Sequence, residues 1–386
     1  MNPRDYARYV ILTLSLGVVL TGLLTWLVDP YAVLHDSTWP GFNRYKTDLD
    51  RRADLFKAHL VDTRHPEIVI LGNSRAEVGF SANHPAFGNA RVVNFSLTRA
   101  SFPEIYRFYQ YAVLHAPVRQ VVTSIDIQSL RETDVRASLQ DAGIGRDFSS
   151  WHARWQLLKI HLSYDALEDA VLTIIHQAEP ARAALHGEDL GGRNEEYMSE
   201  EVRRGGGSRR LSHAYIDLEE IPQDISSAKA RVSRNLELMR KMGTDACRRG
   251  IALKFVSPPI HTEILRAWER SYGDDFLPWL LKETVRAVDS AANDCPAPRP
   301  EIWSALDYTP VTTEPLPSPS AGRQLMRNYW EVIHFRQEVG NAVLNDMFRI
   351  PNTSVTHATR LSLDSIDAYL ATLSAKRSVF RGHRVQ

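Results

Sequence analysis

Residues 9–28 form an uninterrupted uncharged run, and no other stretch limits so sharply what this chain can become. About twenty apolar residues are enough for a helix to cross the hydrocarbon core of a bilayer. The run has no polar face, as a helix packed on a soluble core would have. Tyr9 and Trp26 stand near its two ends, where interfacial aromatics sit. The exit, Trp26-Leu27-Val28-Asp29-Pro30, lacks the small-x-small pattern of a cleavage site, so the run reads as an uncleaved signal anchor. Arg4 and Arg8 precede it. The positive-inside rule then places residues 1–8 in the cytoplasm and the rest of the chain across the membrane. Residues 29–66 read as a polar linker, with turns at Asp29-Pro30-Tyr31 and Trp39-Pro40-Gly41.

Beyond the linker the pattern is α/β. Ile68-Val69-Ile70-Leu71 is a short buried strand that stops at Gly72-Asn73-Ser74. Val92 to Ser96 is a second strand, residues 102–115 an amphipathic helix, and residues 118–127 contain a third strand. Strand, helix and strand at this interval imply βαβ units and a parallel sheet. Residues 131–225 break the rhythm and read as an insertion, a lid or a partner surface, with a helix over 151–175. Its Arg203-Arg204-Gly205-Gly206-Gly207 run reads as a solvated loop, because a phosphate loop needs a preceding strand and a lysine. Alternation resumes with a helix over 226–249 ended by Gly250. A strand over 251–256, a helix over 276–292, a short strand at Ile302-Trp303 and a helix over 339–348 come after it. Residues 351–386 form an amphipathic tail that packs back on the domain.

Composition excludes some functions. With 46 Lys+Arg against 46 Asp+Glu, the chain has no net charge, which argues against a nucleic-acid partner. Cys247 and Cys295 are too few for a disulfide scaffold and fit no zinc spacing. They are either one bridge or two buried thiols. The histidines show no ligand spacing, so no metal and no cofactor is expected.

Ser74 sits at the carboxyl end of a strand, where open α/β sheets place ligands and nucleophiles. The helix start behind it offers backbone N–H groups to an anion. A serine there can equally be an N-cap. A serine nucleophile needs a base, and the base an orienting carboxylate. Glu331-Val332-Ile333-His334 supplies both residue types at a spacing that lets the acid turn back onto the imidazole. Arg75 reads either as a donor to a substrate carboxylate or sugar, or as a brace paired with Glu77 or Asp126. Asp126 orients Arg75 or caps a helix. His261 follows another strand and either faces the same crevice or serves structurally.

Gly72-Asn73-Ser74 early, with Glu331-x-x-His334-x5-Gly340 late, resembles the SGNH/GDSL hydrolase superfamily. The resemblance implies a flavodoxin-like three-layer sandwich with a central parallel sheet over residues 67–350, the 131–225 region lying outside it. It implies Ser74, His334 and Glu331 as catalytic residues. Ser96, with Asn94, would form the oxyanion side, and Arg75, Asp126 and His261 would bind substrate. Three departures stand out. Glu331 replaces the family's aspartate, Ser96 stands where a glycine is usual, and no asparagine follows the third strand. Asn73, Asn94 or Arg75 would have to supply the missing donor, or the protein is a weak or inactive catalyst.

The anchor and the Gly-Asn-Ser-Arg form are also similar to extracytoplasmic members related to O-acyl-transfer proteins of bacterial envelope polysaccharides. That likeness implies a single-pass protein of the bacterial inner membrane with its catalytic domain in the periplasm or cell exterior. It would be a serine esterase or O-acyltransferase acting on acyl esters, acetyl above all, of envelope or secreted glycans. A multi-spanning membrane acyltransferase would be its partner. The alternative is an inactive scaffold that binds a glycan or such a partner.

Overall fold

In the computed structural model the described residues are 2–35, 37–47, 49–141, 143–144, 150–179, 183, 190–293, 295, 298–351 and 357–383. The chain divides into two compact units, one of residues 1–59 and 137–186, the other of residues 60–136 and 187–386. In chain order the elements open with α1 (Pro3–Val28), α2 (Ala53–Arg64), β1 (Ile68–Leu71) and α3 (Ser74–Gly79). They continue with β2 (Val92–Asn94), α4 (Phe102–His115), β3 (Gln120–Ser124), α5 (Ile127–Arg131), α6 (Ser138–Asp141), α7 (Ser150–His161) and α8 (Tyr164–Ile175). Next come α9 (Glu195–Arg204), α10 (Ser208–Glu219), α11 (Ile225–Arg248), β4 (Ala252–Ser257), α12 (Thr262–Tyr272), α13 (Phe276–Ala291) and β5 (Glu301–Ser304). The chain closes with β6 (Tyr329–Glu331), β7 (His334–Phe335), α14 (Gln337–Phe348), β8 (Thr359–Leu361) and α15 (Ile366–His383).

The second unit is α/β. Its six-stranded sheet runs in the order β2-β1-β3-β4-β5-β8. The first five strands are parallel, and β8 joins β5 antiparallel. Every residue of β1 is buried, as a strand covered on both faces requires. This is why its sequence is a plain apolar run rather than an alternation. The carboxyl end of β1 lies between β2 and β3, and there the chain turns through Gly72 into α3. A side chain at Gly72 would come within 2.7 Å of the Ala76 Cβ and 3.0 Å of the Ser124 Cβ, so the turn is closed to larger residues.

A second glycine contact fixes what faces that turn. A Cβ at Gly340 would lie 1.8 Å from the Gly79 carbonyl oxygen, and one at Gly79 would strike the Phe335 ring. The start of α14 and the end of α3 therefore touch backbone to backbone, which draws β7 against α3. Phe80 and Phe335 pack edge to face in the same core.

The first unit carries α1, the one helix among the described residues long and apolar enough to cross a membrane. A helix end leaves its last carbonyls without intrahelical partners. Here all four find protein donors. The Thr25 carbonyl accepts from the Asp29 N–H, that of Trp26 bonds with the His35 ring, that of Leu27 accepts from the Asn43 amide, and that of Val28 from Asn43 and Lys46. The Asp29 carboxylate in turn accepts the N–H groups of Val33, Leu34 and His35. Burial drives the Lys46 ammonium down to about 8, against the pull of Asp29.

Some sequence boundaries move. The 131–225 stretch is not one insertion: residues 137–186 cluster with the N-terminal unit and residues 187–225 with the sheet. The expected helix over 151–175 is two helices, interrupted where Ser163 caps α8. The C-terminal tail supplies the edge strand β8 as well as a helix. Cys247 and Cys295 are paired as a disulfide, with Cα atoms 5.9 Å apart.

Candidate active site

Ser74 is the first residue of α3, but it does not cap it. Asn73 is the N-cap, its side-chain oxygen accepting the Arg75 N–H at 3.0 Å. The Ser74 hydroxyl is thus spared for another bond. It donates to His334 Nε2 at 2.9 Å. The Ser74 N–H stands in the first turn, where no intrahelical carbonyl reaches it.

The acid and the base lie across a hairpin. Glu331 ends β6 and His334 opens β7, and the two are register partners. A two-residue connection, Val332-Ile333, is what turns an E-x-x-H sequence into a facing pair. Glu331 Oε1 bonds His334 Nδ1, and Glu331 Oε2 accepts the Ile333 N–H at 2.7 Å. The buried carboxylate therefore assigns the proton to Nδ1 and leaves the Nε2 lone pair for Ser74. The imidazole itself stays partly open, as Ser74 does.

Helix α10 braces this hairpin from outside. The Ser208 N–H donates to the Gln324 carbonyl at 3.1 Å, and Ser208 Oγ accepts the Met326 N–H at 3.0 Å. Ser212 Oγ accepts the Val332 N–H at 3.3 Å. One turn further along α10, the Tyr215 ring meets His334 edge to face at 6.3 Å. Burial, then the nearby Glu331 and Glu201 carboxylates, push the Tyr215 phenol up to about 12, with Arg99 opposing. Of the Arg-Arg-Gly-Gly-Gly run expected to be a solvated loop, the two exposed arginines end α9 and the three glycines form the turn that sets α10. Gly207 has φ +90°, and a Cβ there would lie 2.6 Å from the Arg323 Cα.

The substrate-binding expectation for Arg75, Asp126 and His261 is corrected. Arg75 is 1% exposed. Its guanidinium pairs with Asp126, and its Nε–H donates to the Ile333 carbonyl at 3.3 Å. It ties α3, which carries Ser74, to the Glu331–His334 hairpin, so the bracing role describes it. Asp126 caps α5 through Ser129 and accepts the Asn73 amide at 2.9 Å. Burial alone would raise the Asp126 carboxyl, but Arg75, the Ser129 N–H and Asn73 hold it below the usual carboxylate value. His261 is the buried N-cap of α12. Its Nδ1 accepts the Glu263 N–H, and its Nε2 bonds the Glu314 carbonyl at 2.8 Å.

The oxyanion expectation for Ser96 and Asn94 is corrected too. The Ser96 N–H donates to Asn94 Oδ1 at 3.1 Å, and both residues are fully buried. This is an Asn side chain closing a turn on the N–H two residues on. The Asn94 amide donates to the Ala76 and Phe80 carbonyls at 2.9 and 3.0 Å, clamping the end of α3. Asn73 and Arg75, the other replacement donors, are held by Asp126.

Tyr215 and the serines of α10 carry no mark in the sequence, because nothing local singles out a residue that acts through a distant hairpin. The same holds for the network behind the site. Thr98 donates to Glu77 at 2.7 Å, and Arg193 donates to Glu77 and to Thr98. Next to Thr98, Arg99 is exposed at φ +59°, in a turn closed by the Ala100 N–H on the Leu97 carbonyl. Among the described residues, no group of three or more His, Cys, Asp or Glu could hold a metal ion. No protein-family model matches the chain, and no curated protein matches it.

Proposed function

We propose that this chain is a membrane-anchored serine esterase or O-acyltransferase of the SGNH/GDSL type. The observation that carries the reading is the relay itself: Ser74 Oγ 2.9 Å from His334 Nε2, with Glu331 on the far ring nitrogen. His334 takes the proton as Ser74 attacks an ester carbonyl, then returns it to the departing alcohol. Water or a sugar hydroxyl takes the acyl group from Ser74 in a second round. The Ser74 N–H serves the oxyanion. The strand order β2-β1-β3-β4-β5 supports a flavodoxin-like sandwich, whose ligands sit outside the strands' carboxyl ends, where Ser74 is.

The capped end of α1 supports a retained anchor, because Asp29, His35, Asn43 and Lys46 bond the helix carbonyls. The Cys247–Cys295 disulfide supports an oxidising compartment, in line with an extracytoplasmic domain. On this reading the chain tethers acyl-ester chemistry to a membrane surface. Acetylated envelope or secreted glycans are the substrate class, and a multi-spanning acyltransferase is the fitting partner.

One observation favours a second reading. The Ser96 N–H and the Asn73 and Asn94 amides are engaged elsewhere, and the one Arg75 guanidinium nitrogen without a partner is buried, as a glycan-binding scaffold with a relict relay would allow. Turnover of a chromogenic acetyl ester by the full chain in detergent separates the two. The enzyme reading expects hydrolysis that Ser74→Ala abolishes. No hydrolysis together with no fluorophosphonate adduct on Ser74, or hydrolysis that survives Ser74→Ala, removes it.

A further inference from the structure

Within the N-terminal unit, α7 and α8 pack along the carboxyl-terminal part of α1. A Cβ at Gly22 would lie 3.1 Å from the Leu162 side chain, which marks the contact level. Gly22 is six residues before the capped end at Val28, about 9 Å along the axis at the α-helical rise. The collar of Asp29, Asn43 and Lys46 at that end is polar and buried. Below it, the residues that line the space between the helices are apolar apart from His161, while Lys159 on α7 and Asp165 and Glu168 on α8 are exposed and charged. Trp155 and Leu158, one turn apart on α7, and Leu162 in the turn that follows it are 38–47% exposed. On α1, Leu23 and Trp26 are 50% and 52% exposed. Between the two helices runs an open groove of about 600 Å³, lined by Leu23, Trp26, Leu34, Leu157, Leu158 and Leu162. His161 closes its polar end, Nδ1 bonded to the Leu157 carbonyl and Nε2 facing Asp29 at 3.8 Å.

We propose that this groove is a lipid site: acyl chains of the bilayer leaflet at the carboxyl end of α1 fill it, and α7 lies in that leaflet. The inference rests on α1 spanning the bilayer. If residues 9–28 fill the hydrocarbon core, the Gly22–Leu162 contact lies inside the apolar zone, and Trp155 and Leu158 on α7 are carried down with it. Lys159 stands over the Trp155 ring on the same helix, the aromatic and snorkelling cation pairing of a membrane interface. The occupant is lipid because the exposed apolar surface is continuous from α1 onto α7.

The test uses the full chain in phosphatidylcholine–phosphatidylglycerol nanodiscs. Both native cysteines are disulfide-bonded, so a single introduced cysteine takes an environment-sensitive fluorophore. Leu158→Cys and Trp155→Cys report the groove and α7, Val18→Cys the middle of α1, and Leu218→Cys an exposed site in the other unit. Lipids carrying a nitroxide high on the acyl chain are expected to quench positions 155 and 158 several-fold more than position 218, with blue-shifted emission. Quenching at 18 without quenching at 155 and 158 overturns the lipid site while leaving the anchor standing. No quenching at any position overturns both. Self-quenching between labels at 158 that rises with protein density, without nitroxide quenching, makes a second copy the occupant and overturns the proposal.

Discussion

On one side of Ser74, Glu331 and His334 meet the hydroxyl through an unbroken relay, and α10 holds the hairpin that carries them. On the other side, the Ser96 N–H is turned onto Asn94, and Asn94 is spent clamping α3. The two sides differ in what each needs. A relay needs three side chains at hydrogen-bond reach, and a two-residue hairpin supplies two of them almost without tertiary help. An oxyanion hole needs donors left unbonded until the transition state, aimed at an oxygen that is not yet there. The same buried Asn94 that steadies α3 consumes the Ser96 N–H. On the proposed reading, the site is ready to attack and poorly furnished to stabilise the tetrahedral oxyanion that the attack would create. Loss of one oxyanion donor costs on the order of 10²–10³ in rate, so acylation by a reactive electrophile should outpace turnover of ordinary esters.

The strongest way to break this contrast is at the relay. Ser74→Ala should abolish both acylation by a reactive electrophile and ester turnover; residual activity would move the nucleophile elsewhere. Glu331→Gln keeps the shape but no longer holds the proton on Nδ1. It should slow acylation by about 10²–10⁴, the usual range for general-base assistance, with an unchanged circular dichroism spectrum. An effect below tenfold would make Glu331 structural only.

The brace between Arg75 and Asp126 ranks second. Arg75→Met leaves Asp126 charged and unpaired in the core, a change that costs about 3–5 kcal/mol, read as a lowered melting midpoint. The sign of the pH dependence is set by the same pair. Asp126 is held below its usual value of 3.8 in the fold, so its contribution is fully present above that value and drains away as pH falls through the lower folded value. Acid titration of stability should therefore show a smaller loss below pH 3.8 in Arg75→Met than in the native chain. A matching slope in both would remove the linkage.

The smallest effect expected is at the glycine contact. Gly340→Ala must part α14 from α3, an overpacking worth about 1–3 kcal/mol. Because His334 rides on the same connection, acylation should slow as well as stability fall. Lost stability with unchanged acylation would uncouple the glycine contact from the relay.

Local chemistry made much of this legible. The β1 run, the α4 boundaries and the Glu331–His334 spacing all arise from residues close in sequence, and Gly340 has its reason in the backbone contact with Gly79. What sequence could not show is commitment over distance. Arg75 and Asp126 are 51 residues apart, and nothing near either says that each is satisfied by the other rather than by a substrate. Ser96 reads as an available donor until the Asn94 side chain is seen turned back on it. The 131–225 stretch looked uniform because helix and loop composition do not reveal which of two cores a helix joins. Half of it belongs with the N-terminal unit, and α10 from the other half supports the acid–histidine hairpin.

The central claim is that His334 activates Ser74. Its most direct measurement is the rate of fluorophosphonate adduct formation, followed by intact mass and located by peptide mapping, in the full chain and in His334→Ala. One adduct on Ser74 is expected, forming at least about 10²-fold more slowly without the imidazole. No adduct on Ser74, or the same rate in both proteins, would contradict it.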